Sequence, residues 1–87
     1  MNSLEIQYFL TIVKYGSFTE AAQTLSVSQP AISKAIGKLE DSLGLSLFTR
    51  SSRGVQLTAE GEILFEHTGE AFDALERGES ELKRIQE

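Results

Sequence analysis

The stretch Ala21-Ala22-Gln23-Thr24-Leu25-Ser26-Val27-Ser28-Gln29-Pro30-Ala31-Ile32-Ser33-Lys34 decides the fold of this 87-residue chain. Before the joint, Ala21, Ala22 and Leu25 form a short apolar stripe at helical spacing, and beyond it Ile32, Ala35, Ile36, Leu39 and Leu43 form a longer one. Only Leu25-Ser26-Val27-Ser28 joins the two helices, so they must cross steeply, as in a helix-turn-helix. Ala22 is small where the helices approach, and Leu25, Val27, Ile32 and Ala35 supply a shared core. Ser28 can cap the second helix, and Pro30 is tolerated in a first turn whose amides have no internal partner. Gly44 ends it, since a helix commonly stops on a left-handed residue.

Working toward the N-terminus, Ile6, Phe9, Leu10 and Val13 share one face of a helix over Leu4–Tyr15, with Ser3 as its cap and Gly16 as its stop. Ser17-Phe18-Thr19-Glu20 then reads as a capping box for the helix that carries Ala21 and Ala22. Working toward the C-terminus, the period changes to that of strands. Residues 46–50 and 54–58 flank Ser51-Ser52-Arg53-Gly54 as a small hairpin, too little sheet to stand alone. Thr58 caps a last helix from Ala59 to about Gln86, roughly 40 Å long at ~1.5 Å per residue. On it Leu64, Thr68, Ala71, Leu75, Gly78, Leu82 and Ile85 alternate steps of four and three, a heptad seam that asks for a partner helix. Gly61, Gly69 and Gly78 each cost ~1 kcal/mol of helix propensity, a further reason to expect pairing. The expected architecture is mainly α: three helices and a two-stranded wing over residues 1–58, then a long dimerisation helix over 59–87.

Charge first argues against a nucleic-acid partner, because the net charge is −5. Its distribution reverses that. Residues 1–58 carry five Lys/Arg against four Asp/Glu, residues 59–87 three against nine, and none of the acidic residues falls between 28 and 39. On the third helix Gln29, Pro30, Ser33, Lys34, Gly37 and Lys38 lie opposite the apolar stripe. Gln can bond an adenine edge through two hydrogen bonds, Ser can donate or accept, and a proline ring can touch a thymine methyl. Lys34 and Lys38, one turn apart, suit phosphates. Arg50 on the hairpin strand and Arg53 at its tip are placed for the sugar-phosphate backbone, Arg53 for the adjacent minor groove.

No catalytic or metal site is expected. The sequence has no cysteine and one histidine, and His67 diverges by ~100° from Glu66 on a solvated helix face. No cofactor is expected either. Glu62, Glu66, Glu70 and Asp73 form a repulsive stripe that keeps the last helix off a polyanion. There is no apolar run of ~18 residues and no basic start before an apolar stretch, so a soluble, cytoplasmic protein is expected.

Phe9, Gly16-Ser17-Phe18-Thr19, Ala21-Ala22, Leu25, Val27 to Ser33, Ile36, Leu39-Glu40, Leu43-Gly44, Leu47-Phe48, Arg50, Gly54 and Leu57-Thr58-Ala59-Glu60-Gly61 together resemble the N-terminal winged helix-turn-helix domain of LysR-type transcriptional regulators. The resemblance covers the whole chain. It implies bacterial regulators that dimerise through antiparallel linker helices and set two recognition helices, here 28–43, into successive major grooves, with the wing 47–58 on the backbone and minor groove. It gives Gln29, Pro30 and Ser33 base-facing roles and Ser28, Lys34, Lys38, Arg50 and Arg53 backbone or groove roles. The implied partners are a partly palindromic double-stranded operator and a second copy, seamed along Leu64, Ala71, Leu75, Gly78, Leu82 and Ile85, with higher oligomers open to a full-length form. Family members usually carry a larger inducer-binding C-terminal domain, to which nothing in these residues corresponds. Two positions depart from the pattern: Lys34 stands where arginine is usual, and Ser26 where helix-turn-helix motifs prefer glycine. Lysine lacks the planar fork, which favours a phosphate contact at 34. Two rival readings are a winged-helix module for protein contact, working through the last helix, and a small hydrolase or metal binder centred on His67.

Overall fold

The computed structural model describes residues 1–86. Helices α1 (Ser3–Tyr15), α2 (Phe18–Leu25) and α3 (Gln29–Leu43) precede an antiparallel hairpin of β1 (Phe48–Ser51) and β2 (Gly54–Leu57), and α4 (Ala59–Gln86) closes the order. The hairpin register pairs Phe48 with Leu57 and Ser51 with Gly54, leaving Ser52-Arg53 as its tip. Its strands are shorter than expected at the base. There Ser46 and Thr58 are joined by a hydrogen bond from Thr58 Oγ1 to the Ser46 carbonyl, 2.7 Å, and not by strand pairing.

Most helix boundaries are set by side chains at the expected places. Ser17 Oγ accepts from the Glu20 amide at 3.1 Å, Ser28 Oγ from the Ala31 amide at 3.1 Å and Thr58 Oγ1 from the Gly61 amide at 2.9 Å, but the expected capping box at Ser17 is half made, without the return bond from the Ser17 amide to the Glu20 carboxylate. The first helix differs. Asn2, not Ser3, is its cap, and Asn2 with Glu5 makes the reciprocal capping box, at 2.8 and 3.0 Å. Asparagine is as good a cap as serine, and at position 2 it has Glu5 three residues on to return the bond, where Ser3 would have Ile6. Gly16 and Gly44 end their helices in the left-handed region, at φ 64° and 71°.

The core lies between the three short helices and the root of the wing. Tyr8, Phe9, Ile12, Phe18, Ala21, Ala22, Ile32, Ile36, Leu39 and Leu47 are buried, and Leu10, Val13, Leu25, Val27, Ala35, Phe48, Val55, Leu57 and Leu64 pack around them. The buried line of α1 therefore runs through Phe9 and Ile12, with Leu10 and Val13 at its margin and Ile6 outside it. Leu43 is exposed, contrary to expectation. It has the angle of the inward stripe but lies in the last turn of α3, past Leu39, where the chain turns away at Gly44.

The wing root is held by polar contacts as well. Glu40 Oε2 accepts from the amides of Leu47, at 2.7 Å, and Phe48, at 3.4 Å, while the Leu47 carbonyl accepts from the Thr58 amide at 2.9 Å. Gly61 is pressed against this same turn. A Cβ there would lie 2.2 Å from the Leu47 carbonyl oxygen and 2.9 Å from Leu57 Cδ2. The start of α4 is thus part of the head, with Gly61 and Thr68 buried and Leu64 on the core. Farther along, Phe72, Leu75 and Glu79 line an open cleft with Leu4 and Gln7 of α1, and no helix among the described residues is long and apolar enough to cross a membrane.

Candidate nucleic-acid interface

The turn between α2 and α3 sets which side of α3 faces outward. Ser26 takes the left-handed conformation, φ 58° and ψ 40°, and the Val27 amide reaches back to the Ala22 carbonyl at 3.0 Å. This reversal drops Val27 onto the core and starts α3 at once, with Ser28 as its cap. Burial of Ile32, Ile36 and Leu39 then turns the opposite side of α3 outward.

On that side Gln29, Pro30, Lys34 and Lys38 are exposed and Ser33 is half-buried. Gln29 Nε2 lies 3.3 Å from Ser33 Oγ, so the two polar side chains one turn apart are already joined. The bond uses one amide hydrogen of Gln29 and leaves its other hydrogen and its Oε1 for an outside partner. Lys34 and Lys38 have no ion pair within the described residues, where the single pair joins the Met1 ammonium to Glu5 at 3.8 Å. Gly37 sits in open space on this face.

The wing supplies two more cations. Arg53 is at the exposed tip, where its backbone amide donates to Ser51 Oγ at 3.2 Å. Arg50 lies on β1 opposite Val55, its guanidinium carbon 3.7 Å from the centre of the Phe18 ring. The structure therefore leaves Gln29, Ser33, Lys34 and Lys38 outside the buried stripe of α3, Gln29 and Ser33 toward one edge of the outward side and Lys34 and Lys38 toward the other at ~100° per residue, and puts Arg50 and Arg53 on the hairpin. Sequence reasoning missed two contributors. Neither the role of Phe18 nor that of Glu40 is marked by local spacing, because their partners lie across the fold at Arg50 and Leu47.

These features coincide with a family match. Residues 4–62 fit the family model described as the bacterial regulatory helix-turn-helix protein, lysR family. The chain belongs to the LysR family. It is 43% identical over 86 residues to the HTH-type transcriptional regulator YtlI of Bacillus subtilis (strain 168), covering 95% of this chain and 28% of that protein. It therefore spans little more than a quarter of that relative's length. Among solved structures, the BenM DBD in complex with catB site 1 DNA superposes with a TM-score of 0.90 at 35% identity, covering 98% of this chain and 96% of that one. The CbnR DBD–DNA complex superposes with a TM-score of 0.84 at 31% identity, each chain covered in full. This winged helix-turn-helix is the fold of a regulatory family, not an enzyme family.

On α4, His67 is exposed, and the described residues contain no grouping of three or more His, Asp or Glu able to hold a metal ion. The heptad seam divides. Leu64 packs on the core of its own chain and Thr68 is buried with its hydroxyl on the Leu64 carbonyl at 2.7 Å, so both serve the head. Ala71, Gly78, Leu75, Leu82 and Ile85 are exposed, the last three at 64%, 64% and 81%.

Proposed function

We propose that this LysR-family chain is a sequence-specific double-stranded DNA-binding domain of a transcription regulator. The observation that carries the reading is the outward face of α3, where the joined Gln29 and Ser33 stand beside unpaired Lys34 and Lys38 with no acidic side chain between residues 28 and 39. Such a helix fits a major groove ~12 Å wide. Gln29, Pro30 and Ser33 read base edges. Ser28, Lys34, Lys38 and Arg50 hold the phosphate backbone, and Arg53 reaches the neighbouring minor groove. Similarity to the BenM and CbnR domains over nearly their full length, in structures that contain DNA, supports this assignment.

Residues 1–58 carry the DNA contacts and 59–87 pair two copies through Ala71, Leu75, Gly78, Leu82 and Ile85. Exposure of three large aliphatic side chains along one projecting helix supports the pairing. A two-fold protein favours a partly palindromic operator with half-sites ~10 base pairs, or a multiple, apart. The place of action is the bacterial cytoplasm, on the nucleoid.

The test is selection of targets from a random duplex pool at about 100 mM salt, low enough for backbone contacts to contribute, with the parent and with the double variant Gln29→Ala/Ser33→Ala. The expected outcome is a two-fold repeat for the parent and relaxed base preference for the variant. If the variant selects the same sites, α3 does not read bases. If a folded, paired parent enriches nothing, a protein-contact module working through the exposed seam of α4 becomes the better reading.

A further inference from the structure

Phe18 does two things at once. It is the first residue of α2 and is buried, and its ring meets Phe48 edge to face at 5.6 Å and 73°, while Phe48 in turn meets the fully buried Phe9 at 5.3 Å. Three rings thus run from the centre of the head to its surface, and the last is covered by the guanidinium of Arg50. We infer that Phe18 is a positioning residue for Arg50, holding the guanidinium in place as a ready-set phosphate ligand on the wing. The inference rests on the DNA-binding reading above and adds a residue to it.

The physical case has three parts. A cation over an aromatic face is attracted by the ring's quadrupole, and arginine stacks there through its plane while its N–H donors point outward from the edge. Arg50 is exposed, and none of those donors has an acceptor within the described residues. A group that is held yet unsatisfied loses little freedom when an anion arrives, which is how preorganisation raises affinity. The ring itself has little room to move, because it is buried against Phe48, which is in turn packed on Phe9. Arg53 has no ring beneath it among the described residues, so the two wing arginines are prepared differently. Lysine would not serve at position 50, being a point charge on a flexible stem.

The test is a double-mutant cycle on the parent's selected duplex, read as Kd and as the dependence of Kd on salt. Phe18→Leu keeps apolar volume in the core and removes the ring face, and Arg50→Ala removes the cation. Each is expected to weaken binding by about 5–20-fold, Arg50→Ala also lowering the salt slope by about 1 for each protomer engaged and Phe18→Leu by less because the cation remains, while the double variant binds within about 2-fold of Arg50→Ala. Equal weakening by Phe18→Leu with and without Arg50 would mean a purely structural ring and overturn the inference. A parent that binds tightly, together with an Arg50→Ala variant of unchanged affinity, overturns it too and leaves the DNA reading standing. A parent with no duplex target overturns both. Should Phe18→Leu not fold, 15N relaxation of the Arg50 and Arg53 side-chain Nε–H groups in the free parent decides. Arg50 is expected to be as ordered as the backbone and Arg53 less so, and equal mobility of the two overturns the inference.

Discussion

Ser26 carries the turn of the motif in a conformation that side chains with a Cβ seldom adopt, φ 58° and ψ 40°. It is the one non-glycine residue with positive φ among the described residues. A left-handed residue of this kind costs of order 1 kcal/mol, which glycine avoids in part by having no Cβ. Ser26→Gly is therefore expected to stabilise the domain by about 0.5–1 kcal/mol, a rise in Tm of several degrees for a domain this small. Thermal unfolding followed by far-UV circular dichroism checks it, and an unchanged or lower Tm would show that the serine stabilises the turn by some other means. The residue scale is also where the sequence was most informative. Ser17, Ser28 and Thr58 are caps because their hydroxyls bond amides three residues on, and a bond that local is readable from spacing alone. Phe18 and Arg50 are 32 positions apart, so no local pattern marks their contact.

At the scale of elements, the wing and the last helix are fastened to the recognition helix through one turn, residues 45–47. Glu40 on α3 holds the Leu47 and Phe48 amides, and the Leu47 carbonyl faces both the Thr58 amide and Gly61 of α4. The periodicity of α4 made Gly61 look like a simple loss of helix propensity. In the fold it is a point of closest approach, and a methyl group would collide with backbone that two sets of hydrogen bonds hold in place. Gly61→Ala gains about 1 kcal/mol in propensity where nothing crowds the Cβ, yet here it is expected to destabilise by about 1–3 kcal/mol through overpacking. Gly69→Ala is the control, because a Cβ at 69 meets nothing within 4 Å. Urea titration of both variants separates the two effects: Gly69→Ala should raise the midpoint and Gly61→Ala should lower it. A stabilised Gly61→Ala would mean that the turn yields and that α4 is not held as the structure shows.

At the scale of the whole molecule, the seam of α4 was legible as a heptad pattern, but which part of it serves the head was not, since periodicity does not tell one neighbour from another. Leu64 and Thr68 are used within the chain, which leaves Ala71 to Ile85 for the proposed partner. Leu82→Asp replaces an apolar side chain that is 64% exposed in the single chain, so it should leave the head's Tm within about 2 °C, as surface changes usually do, while weakening self-association by at least tenfold. Sedimentation equilibrium measures the second quantity. The same variant then bears on DNA affinity, because two joined heads bind a double site with the advantage of effective concentration. The parent has four candidate cations per head, Lys34, Lys38, Arg50 and Arg53, and an α4 that is net acidic. If some of them contact bases or stay unengaged, a dimer neutralises about 4–6 phosphates, and log K should fall with log salt at a slope near 0.9 for each. Leu82→Asp should halve that slope by leaving one head bound at a time. A parental slope above about ten would place contacts outside α3 and the wing, and an unchanged slope in the variant would show that the heads are paired by something other than α4.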